Sequence, residues 1–304
     1  EGEDWRIAVD KLLFLSDRAF SDDEPEEARI YEMKRVLEVL RVDSKEARQR
    51  IAEVSRAIYS QYLGDVADEV DAVTGEALAV ASKAFGLPVK EAEKMNVETY
   101  RKIAVDLLAQ GKLPEDGAKT LERARGVLQL GERAAALAFA AAAAPHLNSA
   151  VADVAAGLSA ETAKEAIATL AAKQKDLGLS VTTAHEIVSK GFLARLRSLY
   201  DGACKTARAK NNAAALGNLD QALAFSANAE AVLAELREGK TEVSSPDAAA
   251  DTGSVEAVPM TLAADQASAR RLCIIYLERF IDGKADKAAD PKELTRLLEL
   301  SRLT

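Results

Sequence analysis

The chain has 304 residues, 48% of them hydrophobic but only 5% aromatic, and its 49 carboxylates outnumber 40 Lys and Arg to give a net charge of −9. No Lys/Arg block interrupts it, which excludes a general nucleic-acid-binding surface; an acidic balance favours basic partners through long-range attraction that salt screens. Two cysteines 69 residues apart, Cys204 and Cys273, form no disulfide framework of the secreted type and point to a reducing compartment. Alanine and leucine dominate, and no run alternates β-branched with polar residues, so the expected fold class is all-α.

The chain opens Glu1-Gly2-Glu3-Asp4, without Met or a targeting segment, and reads as an internal piece of a longer protein. A first helix is expected over residues 5–20. Ser21-Asp22-Asp23-Glu24-Pro25-Glu26-Glu27 starts a second, with five carboxylates where a helix has unpaired N–H groups and proline in the first turn. The glycine and terminal glutamate of a calcium loop are missing there. Asp43 and Glu46 form a capping box for a third helix, which passes Tyr59 and Tyr62 to a break near Gly64. A fourth covers residues 66–85, and Gly86-Leu87-Pro88 reads as one stop followed by one start.

Val97, Tyr100, Ala104, Leu107 and Leu108 share one helical face, and the turn at residues 111–116 leads into a helix ending at Leu130. The longest apolar run, eleven residues from Ala134 to Ala144, is closed by Pro145. A bilayer span needs about 18, so no membrane span is expected. Further helices are expected from Ser159, from Ser180, over residues 193–209, and over residues 212–237 with Leu219, Leu223, Leu233 and Leu236 on one face. Residues 239–261 are rich in Gly, Ser, Pro, Asp and Ala and read as a flexible linker. Helix resumes over residues 262–281. Asp290-Pro291-Lys292-Glu293 caps a last helix whose Leu294, Leu297, Leu298, Leu300 and Leu303 face a neighbour or a second copy in a homodimer. The domains are therefore residues 1–238 of helical repeats, the linker at 239–261, and residues 262–304 of further helices with a truncated repeat.

The repeats are visible directly. Gly86-Leu87-Pro88-Val89 returns 92 residues later as Gly178-Leu179-Ser180-Val181, and the match continues with Ala92 and Ala184, Met95 and Ile187, Tyr100 and Phe192, Leu107 and Leu199. An aliphatic residue followed five positions later by alanine occurs at Val42 and Ala47, Leu87 and Ala92, Leu130 and Ala135, and Leu179 and Ala184, at spacings of 45, 43 and 49 residues. Periods of roughly 40–47 residues mark two-helix repeats of the HEAT or armadillo sort. The expected architecture is an elongated, right-handed α-solenoid of such units, which bury their apolar faces on one another and leave surfaces for partners. Tyr59, Tyr62, Tyr100 and Phe192 are read as core.

Catalytic and cofactor signatures are weak. His185-Glu186 resembles the start of a zincin motif, but Ser189 stands where the second histidine belongs, so no zinc site and no other metal or cofactor is expected. Gly239-Lys240-Thr241 resembles the tail of a phosphate loop, but Ala234 replaces its leading glycine and a helix precedes it. His146 is the only other histidine. Cys204 and Cys273 have two readings, buried thiols that act as small hydrophobes or a redox pair whose Cα atoms lie within about 7 Å. No enzymatic activity is expected.

Several stretches carry a family resemblance. They are Leu199-Tyr200, the polar break Ala207-Arg208-Ala209-Lys210-Asn211, Ala224-Phe225-Ser226-Ala227-Asn228, and Val232-Leu233-Ala234-Glu235-Leu236-Arg237-Glu238-Gly239. Arg270-Arg271-Leu272-Cys273-Ile274-Ile275-Tyr276-Leu277, the leucines of the last helix, and the turn Gly111-Lys112-Leu113-Pro114-Glu115-Asp116 extend it. Together they resemble the soluble region of the large scaffold subunit of the Tic translocon, at the inner envelope membrane of chloroplasts, and the alanine richness resembles an algal member. The resemblance implies a non-enzymatic scaffold on the stromal face. It would receive transit peptides of preproteins and recruit an Hsp100-type stromal chaperone, other chaperones and the Tic co-chaperone subunit. A generic solenoid adaptor in another complex, or part of a membrane channel, are the alternatives.

Overall fold

The computed structural model describes Ile7 and residues 45–70, 73–84, 87–238, 266–281 and 291–300. The expectations for residues 5–20, the start at 21–27, Val42, Asp43, Gly86, the linker at 239–261, Asp290 and Leu303 lie outside the described residues. All regular structure among the described residues is helical: α1 (Lys45–Asp68), α2 (Gly75–Ala84), α3 (Val89–Leu107), α4 (Gly117–Val127), α5 (Glu132–Gly157), α6 (Ala163–Leu177), α7 (Val181–Arg208), α8 (Asn212–Glu238), α9 (Gln266–Ile281) and α10 (Pro291–Leu300). The chain divides into two compact units, and the division falls inside α5, between Ala143 and Ala144.

In the first unit α1 packs on α2 and α3, and α4 packs on α2 and α3. Tyr59, Tyr62, Leu63 and Val66 of α1 are buried, as are Leu78 of α2, Tyr100 and Ile103 of α3, and Leu121 of α4. The expected break at Gly64 is absent. A single helical glycine forfeits only about 1 kcal/mol relative to alanine, and burial of Leu63 and Val66 on either side outweighs that. The chain leaves the helix later, after Asp68, and α2 begins only at Gly75, where the Thr74 Oγ1 accepts a hydrogen bond from the N–H of Ala77 at 3.2 Å.

In the second unit α7 and α8, 28 and 27 residues long, are joined by three residues and pack along their length as an antiparallel pair. Phe192 and Phe225 cross that interface edge to face, ring centroids 5.8 Å apart. The two helices expected from Ser180 and over 193–209 are one continuous helix, because Gly191 sits in close contact with Val151 of α5 and ends nothing. α6 packs on α8, α9 on both α7 and α8, and α10 on α8.

Pro145 does not end the alanine tract. α5 runs through it for 26 residues. Proline removes one N–H donor and leaves the carbonyl four residues back without its helical partner; that residue is Ala141, and both it and Pro145 are exposed, so water can serve. This corrects the expectation that no segment reaches membrane-spanning length. α5 is long and apolar enough to cross a bilayer, with a window of mean hydropathy 1.3, of which 44% is buried inside the protein. Its buried residues include Ala135, Phe139, Ala143, Leu147 and Val151.

The repeated Leu–Ala pairs have one structural meaning. At each, the backbone N–H of the leucine bonds the carbonyl five residues back, Leu87 to Ser82, Leu130 to Arg125 and Leu179 to Gln174, at 3.0–3.1 Å. This is the Schellman stop of the preceding helix. In the latter two the residue before the leucine is left-handed, Gln129 at φ 52° and Gly178 at φ 66°. The N–H of each alanine then makes the first bond of the next helix, Ala92 to Pro88, Ala135 to Gly131 and Ala184 to Ser180. Leucine and alanine thus occupy the positions before the N-cap and at the fourth helical residue, where a hydrophobic staple forms, and all six side chains are buried. The period in the sequence is a recurring helix stop that serves as the next helix start.

Candidate functional site

The first unit contains a groove of about 440 Å³ between α1, α2 and α3 and the turn after α4. Leu78, Leu87, Val89 and Leu130 give it an apolar floor and wall, with Lys83 and Glu93 at opposite ends of the charge scale on its lining. Val89 is 82% exposed. Asn96 holds one end together: its Oδ1 accepts from the phenol of Tyr59 at 2.7 Å and its Nδ2 donates to the carbonyl of Leu128 at 2.9 Å. The Gln129 amide donates to the carbonyl of Gly75 at 2.7 Å and ties α2 to the same turn. Burial pushes the Tyr59 phenol up from its ordinary value, and the bond to Asn96 opposes that. None of these partners is closer than 32 residues in sequence to its mate. Local pattern therefore gave no sign of Asn96 or Gln129.

Charge is distributed unevenly. The described residues hold 27 Asp and Glu against 29 Lys and Arg, whereas residues 1–44 hold 13 against 7 and residues 239–265 hold five against one. The acidic excess of the chain is thus carried outside the described helices.

Cys204 on α7 and Cys273 on α9 are both buried, and no disulfide joins them. The Nε of Arg208 donates to the Oγ of Ser268 at 2.8 Å, and the Nε of Arg271 donates to the carbonyl of Ala207 at 3.0 Å. Cys204 lies four residues before Arg208 and Cys273 two residues after Arg271, on helices that pack together. His185 is buried on α7, 3.4 Å from the hydroxyl of Ser189. Burial holds its imidazole below the ordinary value, and the positive charge of Arg237 acts the same way. The residue that spoils the zincin pattern is thus the histidine's own neighbour one turn on. His146 lies on α5, and Gly239-Lys240-Thr241 lies outside the described residues. No group of three or more His, Cys, Asp or Glu side chains is placed to hold a metal ion among the described residues.

Comparison with protein families, with curated proteins and with solved structures finds no match to this chain.

Proposed function

We propose that the chain is a protein-binding scaffold built as an α-solenoid of HEAT-like units, without catalytic activity of its own. The observation that carries this reading is the recurring stop-and-start turn at Leu87, Leu130 and Leu179. One local device used repeatedly to end one helix and begin the next is what a stacked-helix array uses. The resemblance to the large scaffold subunit of the Tic translocon supports its setting, the stromal face of the chloroplast inner envelope membrane. There it receives transit peptides and recruits the Hsp100-type chaperone, other chaperones and the Tic co-chaperone subunit. Transit peptides are basic and hydroxyl-rich. The acidic stretches at 1–44 and 239–265 attract them at long range, and the groove beside Val89 offers apolar contact.

The test is fluorescence anisotropy of a labelled transit peptide titrated with the full chain, beside a scrambled peptide of equal charge, at low and moderate salt. Preference for the native peptide, weakening with salt, is the expected result; equal binding of both peptides overturns the receptor role. A scattering profile of a compact globule rather than an elongated particle overturns the solenoid. A second reading, a part in a membrane channel, draws on α5 alone, and conductance of the chain in planar bilayers tests it.

A further inference from the structure

The outer flank of α9 carries a combination that polypeptide binding leaves unused. The helix buries Ala269, Leu272, Cys273, Ile275 and Tyr276, yet Ile274 and Leu277 stand 56% and 39% exposed on its other side. Arg270, Ile274 and Leu277 recur at the spacing of one helical face. Beside them is a cluster of cations. Arg270 and Arg271 lie in the second turn of α9, Lys205 and Arg208 in the last turn of α7 and Lys210 just past it, all exposed. The bonds from Arg208 to Ser268 and from Arg271 to the Ala207 carbonyl fix the two helix ends against each other, so the five charges share one corner of the second unit. Among the described residues, the carboxylates of the last two turns of α7 and of α9 are Asp201 and the exposed Glu278.

We infer that this corner docks on an anionic lipid surface, with the cations over the headgroups and Ile274 and Leu277 dipping between them. Clustered Lys and Arg beside exposed aliphatic side chains on one helical flank are the two components of interfacial binding, electrostatic attraction and apolar burial. A chain with a net charge of −9 is repelled as a whole by such a surface. At about 0.1 M salt, however, the screening length is only about 10 Å, so the local cluster decides. Charge complementarity selects an anionic partner, and side chains that project from a helix flank suit a flat, deformable surface. The inference is independent of the transit-peptide reading, since it uses α7 and α9 only.

The test is flotation of the full chain with phosphatidylcholine vesicles, with and without phosphatidylglycerol, near 0.1 M salt. Binding to the anionic vesicles alone is expected. Lys205→Glu with Arg270→Glu, whose side chains make no hydrogen bond or ion pair among the described residues, lowers the partition by about tenfold or more. Ile274→Ser with Leu277→Ser lowers it while leaving the preference for anionic lipid. Circular dichroism of each variant confirms that the helices are retained. No binding of the wild type to anionic vesicles overturns the inference. So does wild-type binding that the charge reversals leave unchanged, or capture by polyglutamate with no vesicle binding, which would make the partner an acidic protein segment.

Discussion

The phenol of Tyr59 donates to the Oδ1 of Asn96 at 2.7 Å, and the Asn96 amide hands the connection on to the carbonyl of Leu128 at 2.9 Å. One side chain thereby joins α1, α3 and the stop of α4, and Tyr59 is buried almost completely. Replacing Asn96 by alanine strands both a buried hydroxyl and a carbonyl, and a loss of about 1–3 kcal/mol is expected. Tyr59→Phe removes a single bond and is expected to lose only about 1 kcal/mol. Urea denaturation of both variants measures the difference. Equal losses would mean that the carbonyl of Leu128 does not depend on Asn96.

Two glycines predict opposite signs for the same substitution. A Cβ on Gly191 would meet the Cγ1 of Val151 at 2.4 Å, and Val151 is itself buried. Gly191→Ala gains about 1 kcal/mol of helix propensity but overpacks the contact between α7 and α5, at about 1–3 kcal/mol. Net destabilisation is expected, and Val151→Ala in the same chain is expected to relieve it, with the coupling read from a double-mutant cycle. Gly217 of α8 has nothing within 4 Å of its Cβ position. There Gly217→Ala is expected to stabilise by about 0.5–1 kcal/mol. Thermal unfolding of the two single variants decides the matter, and a stabilised Gly191→Ala would refute the packing argument.

The helical class and the repeating turns were legible because both rest on local chemistry. Leucine before the N-cap and alanine at the fourth helical position recur within five residues of each other, so a recurring pair in the sequence reports a recurring turn in the backbone. Pro145 misled because its effect is not local. Its effect depends on whether the carbonyl it orphans can reach water, and the exposure of Ala141 is a tertiary fact. Gly64 misled because a glycine inside a helix is decided by its neighbours, here the buried Leu63 and Val66. The groove was illegible because its polar ties join residues 32 to 54 positions apart. Net charge misdirected in a different way. A single total of −9 hid a described region in which cations slightly outnumber carboxylates.

His185 links stability to mild acid. Its folded pKa lies below the ordinary value of about 6.5, because burial and Arg237 both disfavour the imidazolium. The unfolded chain therefore binds the proton more readily than the folded one. The contribution is complete above about pH 6.5 and is lost as the pH falls from there through the folded pKa. Urea midpoints of the wild type are expected to drop between pH 7.5 and pH 5 by more than those of His185→Gln. Parallel curves for the two proteins would show that His185 does not carry this dependence.

Tyr100 makes the corresponding prediction at the alkaline end. It is buried in α3, and burial, with the nearby charge of Glu122, pushes its phenol up to about 12, against an opposing effect of Arg125. The folded state therefore holds its proton more tightly than the unfolded state, whose tyrosines titrate near 10. The stability this lends is complete below about pH 10 and is lost as the pH rises through about 12. Absorbance titration at the phenolate band is expected to show a component that appears only above the ordinary tyrosine range, together with loss of helical dichroism. Tyr100→Phe should show a smaller component, with Tyr59, which burial also raises, still contributing. If instead all six tyrosines of the chain ionise together near pH 10 while the helices persist, the burial of Tyr100 against α4 is wrong.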